Sequence, residues 1–396
     1  MVGFDQNKRH RAQLEVVLSY AQLTDLPEST KDQLAAVRKD KPIIVALYYG
    51  GTLGMIQDDR GRLIPSDDAE RLLQPLKIKG IDKKVQVVWM PVYERAIDST
   101  NGRWVHWASI GNAIRLLYDL VDGFIVCGGT DTMAHLMAAL NFMFPNIGKP
   151  IIGAGAQLPM VELGDDATSN IYFSISCAAS DLSGAHLAFG DELMHGLFVH
   201  KVQDRRFHAF SCPDQHRIGH FDGSVHLYHQ APRRNPLVIG ERLQFRPHFQ
   251  EGIKVVRISP ATPSESILYD ADDPTCSALL LITFGAGNTR DEGIVDGEMT
   301  HVECLRQLYD RKYPVVLGSP MMDGEVNSPY KAGMLSVSTE EGGGGAISAG
   351  NTTGPALEVK CMVALAGAWD EASGKLDFDK FRELMTENMI GELSTR

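Results

Sequence analysis

Apolar runs of four to eight residues alternate along the chain with longer stretches whose apolar positions recur at helical spacing. The runs at 43–49, 85–92, 123–127, 150–154 and 196–201 are rich in β-branched and aromatic residues, as strands buried on both faces are. Residues 104–120, 133–144 and 170–180 read as helices between them. After Gly252 the rhythm restarts, with strands expected at 253–258, 278–284 and 314–317. Helices are expected there around 302–309, 357–366 and 378–388. Strands alternating with helices imply a parallel sheet covered on both faces.

Two interruptions divide this pattern. Residues 220–248 lose periodicity among His, Pro, Arg and Gln, and 340–345 reads as a flexible Glu-Glu-Gly-Gly-Gly-Gly connection. Residues 9–40 are helical in pattern and precede the first strand, and 55–65 is polar enough to read as an exposed loop. The expectation is an α/β protein of two domains. Residues 1–40 form a helical extension, 41–219 a larger N-terminal parallel-sheet domain, 220–251 a linker and 252–396 a smaller C-terminal α/β domain. The length of 396 residues, too great for one ordinary core, agrees.

Composition narrows the partners. The formal charge of −12 argues against nucleic acid or an anionic membrane surface as a bulk partner, and no run approaches the ~20 apolar residues that span a bilayer. The six cysteines have no C-x-x-C spacing, so they read as free thiols of a reducing, cytoplasmic location. Gly153-Ala-Gly155 lacks the third glycine of a dinucleotide fingerprint, and no phosphate-binding loop or H-E-x-x-H motif occurs. The histidines between 195 and 229 match no tight ligand spacing and read as surface or linker groups, so no metal is expected.

What remains is hydroxyl chemistry. The run at 123–127 stops at Gly128-Gly129 and delivers Thr130 and Asp131 at a strand end, where ligands bind in open α/β sheets. The run at 43–49 ends in a twin turn, Tyr49-Gly50-Gly51-Thr52. A third turn carries Ser99, and Lys201 closes a later strand. A hydroxyl nucleophile needs a base, and a lysine held near a carboxylate can serve as one, while turn amides can hold an oxyanion. That combination describes an acyl-transfer site without metal or cofactor.

These motifs, in this order from about residue 41 onward, resemble the bacterial asparaginase/glutaminase family, closest to its cytoplasmic type I branch. Gly50-Gly51-Thr52-Leu-Gly54-Met55 looks like the first family signature and Gly128-Gly129-Thr130-Asp131-Thr132 matches the second. Asp98-Ser99 resembles the substrate-contacting serine turn, and Gln157-Leu-Pro159 with Asp166 and Asn170 matches the stretch after the third strand. Lys201 falls where the triad lysine is expected. Phe284-Gly-Ala-Gly-Asn288 looks like the segment whose asparagine reaches a neighbouring subunit's site, and the ending at 381–393 is type I in character.

The resemblance implies hydrolysis of a side-chain carboxamide of asparagine or glutamine type, without cofactor, in a homodimer or homotetramer. It implies catalytic roles for Thr130, Asp131, Lys201 and position 49. Substrate contacts would come from Gly51, Thr52, Asp98, Ser99, Thr100, Gly129, Gln157 and Asn288. The family's principal nucleophile is a threonine immediately before the first Gly-Gly-Thr, where this chain has Tyr49. The tyrosine that assists it from the following loop has no counterpart at 58–65, which offers only Arg60 and Arg62. Those arginines could clamp a substrate carboxylate or stand as solvated charges. Three readings stay open: Thr130 as nucleophile with Lys201 as base, the Tyr49 phenol as nucleophile, or a chain that binds an amino-acid-like ligand without turnover or has become a structural or regulatory subunit.

Overall fold

The computed structural model describes residues 26–37, 40–66, 80–93, 95–326, 330–352 and 354–393, so positions 9–25 of the helical stretch expected at 9–40 lie outside the described residues. The chain forms two compact units divided between Pro247 and His248.

In the first unit, β1 (Ile43–Tyr48), β2 (Gln86–Pro91), β3 (Gly123–Cys127), β4 (Pro150–Ala154), β5 (Gly184–Phe189), β6 (Glu192–His195), β7 (Arg217–Phe221) and β8 (Val225–Leu227) make one eight-stranded sheet. Its order is β8-β7-β6-β5-β4-β3-β1-β2. The first five strands in sequence run parallel and the last three add on antiparallel, so the sheet is mixed rather than purely parallel.

Helices α2 (Trp104–Leu117), α3 (Met133–Met143) and α4 (Ala167–Ala178) make the crossovers. Alternate residues of the central strands turn to opposite faces: Ile44, Ala46 and Tyr48 join Ile125, Cys127, Ile152, Ala154 and the α4 residues Ile171, Phe173 and Ile175 in one buried cluster. Helix α1 (Glu28–Ala36) lies against the edge strand, where the Gln33 amide donates to the Trp89 carbonyl (3.1 Å) and accepts from the Trp89 N–H (3.0 Å). A side chain here takes the place of a neighbouring strand and satisfies edge groups of β2. The extension expected at 1–40 is thus partly built into the first unit.

The second unit carries a parallel four-stranded sheet, β9 (Ile253–Arg257), β10 (Ala278–Ile282), β11 (Val315–Gly318) and β12 (Ile347–Ser348), in that order. Leu279, Leu281, Val315 and Leu317 face a cluster with α5 (His301–Asp310). Ala278, Leu280 and Val316 face another, with α6 (Gly354–Ala368) and α7 (Phe378–Thr386). Thr300 and Glu303 start α5 with reciprocal caps: the Glu303 N–H donates to the Thr300 hydroxyl and the Thr300 N–H to the Glu303 carboxylate.

Several stretches differ from expectation: of the strand expected at 196–201 only His200–Lys201 forms, and Gly184–Phe189 is a strand outside the expected set. Residues 55–65 are not an open loop but a hairpin, Met55–Gln57 paired with Leu63–Pro65. The region expected as a linker begins with a sheet edge, because β7 and β8 occupy 217–227. The glycine run is not a flexible tether: Gly343, Gly344 and Gly345 are buried and their amides donate to Glu340, Leu335 and Ser338 carbonyls. At Gly345 a methyl group would fall inside the Tyr309 ring, so the glycines allow the main chain to pass under that ring.

Candidate active site

The order β2-β1-β3-β4-β5 reverses direction between β1 and β3, and such a switch point opens a crevice beyond the strand ends. Tyr48 and Cys127 are register partners, and the Tyr49 N–H donates to the Cys127 carbonyl at 3.0 Å. The two glycine turns therefore emerge side by side. Gly50 (φ 134°) and Gly51 (φ 85°) hold conformations that suit glycine, and any side chain on Gly51 would collide with the Gly128–Gly129 main chain. The third turn docks on both: the Ile97 N–H donates to the Tyr49 carbonyl (2.7 Å) and the Thr132 hydroxyl to the Ser99 carbonyl (3.1 Å). A side chain on Gly129 would collide with the Ser99 hydroxyl.

Lys201 comes from a two-residue strand, His200–Lys201, paired antiparallel with Phe210–Ser211. Its Nζ lies 2.8 Å from Thr130 Oγ1 and 2.5 Å from Asp131 Oδ1. Thr130 is buried (6% exposed), whereas the Asp131 side chain is 52% exposed and Lys201 lies between them at 22%. A hydroxyl, an amine and a carboxylate are thus held in one chain, the amine shared.

Tyr49 is 4% exposed and its hydroxyl oxygen has no hydrogen-bond partner among the described residues. Its ring lies over Gly128, where any Cβ would fall inside it. Burial pushes the phenol well above its ordinary pKa, and the neighbouring Cys127 and Tyr93 push it further. The downward shift that a phenolate nucleophile needs is not what this environment supplies. Cys127, itself raised to about 12 by burial, is no reactive thiol.

The remaining residues divide by location. Asp98 caps its turn, its Oδ1 accepting from the Thr100 N–H (3.0 Å) and hydroxyl (2.9 Å). Thr52, half-buried, begins the short 3-10 turn Thr52–Gly54. Gln157 sits just past β4, its main-chain N–H held by Asp166, while its buried Nε2 has no partner among the described residues. Asp166 also accepts from the Leu158 N–H (2.8 Å) and Asn170 Nδ2 (3.1 Å). Asn288 belongs to the second compact unit, in a tight turn closed by hydrogen bonds with Phe284, and its Oδ1 is buried without a partner among the described residues. Arg62 does not stand free: it pairs with Asp58 of its own hairpin at 2.8 Å, while Arg60 is exposed. Sequence reasoning missed two features, the seating of Tyr49 on Gly128 and the approach of Tyr93, since both arise from strand neighbours distant in the chain.

Comparison with known proteins gives a consistent direction. The family model described as Asparaginase, N-terminal, matches residues 43–233. L-asparaginase 1 of Escherichia coli (strain K12) is 28% identical over 355 residues, which cover 89% of this chain and 98% of that protein. The L-asparaginase of Dirofilaria immitis is 26% identical over 380 residues, covering 89% of this chain and 60% of that longer protein. In structure, the thermostable L-asparaginase from Thermococcus kodakarensis superposes with a TM-score of 0.75 at 25% identity, over 89% of this chain and 100% of that one. The two-domain fold is thus the fold of L-asparaginases. Relatives with other names match as well, among them the 60 kDa lysophospholipase of Homo sapiens and a glutamyl-tRNA(Gln) amidotransferase component of Thermoplasma acidophilum, each 25% identical.

Proposed function

We propose that this chain is a member of the asparaginase family that hydrolyses the side-chain carboxamide of an asparagine- or glutamine-type substrate, with Thr130 as nucleophile. The observation that carries the reading is Lys201 Nζ at 2.8 Å from Thr130 Oγ1 and 2.5 Å from Asp131 Oδ1. Lys201 takes the hydroxyl proton as Thr130 Oγ1 attacks the amide carbon, and Asp131 orients the amine. The proton then passes to the departing nitrogen, ammonia leaves, and water hydrolyses the resulting ester of Thr130. Amides of the glycine turns, Gly129 among them, stabilise the developing oxyanion. Gly51, Thr52, Asp98, Ser99, Thr100 and Gln157 form the substrate pocket; the unpartnered Gln157 Nε2 supports a donor role toward a substrate carboxylate.

By the family resemblance, Asn288 completes the site of another copy in a cytoplasmic homodimer or homotetramer. Tyr49 takes the place of the family's first threonine. Its burial and raised pKa favour Thr130 over the phenol as nucleophile.

Ammonia release from asparagine and glutamine tests the proposal. Thr130→Ala and Lys201→Met should each lower the rate by a factor on the order of 10²–10⁴, while Tyr49→Phe leaves it within about twofold. Undiminished turnover in Thr130→Ala would refute the assignment, and loss of turnover in Tyr49→Phe would restore the phenol. A second reading, ligand binding without turnover, is favoured by the inert setting of Tyr49. Calorimetric binding of aspartate by a wild-type protein that releases no ammonia would establish it.

A further inference from the structure

The hairpin of β7 and β8 gathers three potential metal ligands far from the Thr130 crevice. His220 and His226 are register partners across the hairpin, so parity puts them on the same face. Asp222 follows His220 by two residues and returns to that face at the start of the turn. One donor atom of each residue lies within 4.8 Å of the other two. The two imidazoles lie nearly parallel, 13° apart in plane with centroids at 4.9 Å. Asp222 Oδ1 is 2.8 Å from His226 Nε2, with the Ser224 hydroxyl 2.9 Å from the same nitrogen. His220 Nδ1 is shielded from solvent and has no hydrogen-bond partner among the described residues. A surface ion pair between Asp222 and His226 would account for two of the three residues but not for that nitrogen.

We propose that His220, Asp222 and His226 form a site for a transition-metal dication, with zinc as the best-suited ion. Two imidazole nitrogens and one carboxylate oxygen suit zinc and its neighbours in the series and disfavour magnesium or calcium, which take oxygen ligands. Tetrahedral zinc with ligands at about 2.1 Å needs donors about 3.4 Å apart. The observed spread closes to that by torsion of half-exposed and exposed side chains, with the fourth position left to water.

The strand registers place the site in the fold. His220 is level with Glu192, and Glu192 with Phe189 at the carboxyl end of β5, so the site lies on the same rim as the catalytic crevice. Four strand spacings, about 19 Å, separate β7 from β3. Glu192, the neighbour of His220 on the other side, is held by Arg217 at 3.0 Å and is not in the ligand set. The metal would tie the last strand of the sheet to its neighbour without touching the reacting groups.

Titration of chelator-stripped full-length protein with zinc chloride by calorimetry tests this. Wild type should bind one zinc through this site, His220→Ala/His226→Ala should lose that event, and Asp222→Asn should weaken it at least about tenfold. Zinc should raise the thermal midpoint of wild type and not of the double variant, magnesium should bind to neither, and the double variant should keep its ammonia release. Absence of saturable zinc uptake, or uptake of equal affinity in the double variant, would overturn the proposal.

Discussion

Tyr49 and Gly128 are a pair. The ring rests where a Cβ of residue 128 would stand, so Gly128 is required by its neighbour rather than by its own backbone angles. Gly128→Ala should lower stability by about 1–3 kcal/mol in urea denaturation, and the same substitution should cost little in a Tyr49→Ala background. Strict additivity in that double-mutant cycle would mean that the ring does not occupy the space. At this scale the sequence is informative wherever a motif is local. Gly128-Gly129-Thr130-Asp131 announces itself at a strand end, and Lys201 as the last residue of a later apolar run. The setting of Tyr49 is not legible there, because Cys127, Gly128 and Tyr93 reach it only through sheet pairing.

Among the elements, the loop after β4 depends on one carboxylate. Asp166 accepts two main-chain N–H groups, from Gln157 and Leu158, and the amide of Asn170. Asn170 in turn donates to the Gly155 carbonyl and accepts from the Gly190 N–H, linking this loop to the end of β5. Asp166→Ala leaves buried donors without an acceptor and should cost about 1–3 kcal/mol in unfolding free energy. If Gln157 contacts substrate, KM for the amide should rise more than kcat falls; an unchanged KM would detach Gln157 from the pocket.

Elements with strong periodicity are legible to within a few residues: the helix expected at 302–309 is His301–Asp310, and the strand expected at 278–284 is Ala278–Ile282. The failures share one cause. Gly184–Phe189 is poor in β-formers, yet it is a strand because both neighbours pair with it. The β7–β8 hairpin carries His, Gly and Asp on a half-solvated edge, a composition that reads as loop. The four glycines read as a tether because the Tyr309 ring they pass beneath lies 36 residues earlier than Gly345.

Acid should weaken the molecule through its interior. His186, fully buried, sits between register partners Ile152 of β4 and His195 of β6, with Nε2 2.6 Å from the Ser183 carbonyl. Burial pushes its pKa from 6.5 down to about 4, against a smaller upward pull from that carbonyl. The His195 ring lies 4.9 Å away and is depressed in the same direction, chiefly by burial. Between about pH 6.5 and 4 the unfolded chain binds a proton that the folded chain refuses, so stability is full above pH 6.5 and falls as pH drops. His186 alone accounts for a loss of about 3 kcal/mol by pH 4. Urea midpoints measured across this range should decline in wild type and flatten in His186→Gln; equal slopes would exonerate His186.

The crevice is framed by main chain meeting main chain, with Gly51 packed on Gly128 and Gly129 and the Ser99 turn closed over them. That frame is closed by main-chain contacts, and of the side chain at 49 it requires only that it fit over Gly128. Residue 49 can therefore be exchanged while Thr130 and Lys201 keep their positions, 2.8 Å apart. The same independence makes position 49 the natural place to reprogram the protein. A smaller side chain there opens room beside the Thr130–Lys201 pair, and what the protein accepts is set by whatever then fills the space the ring has left.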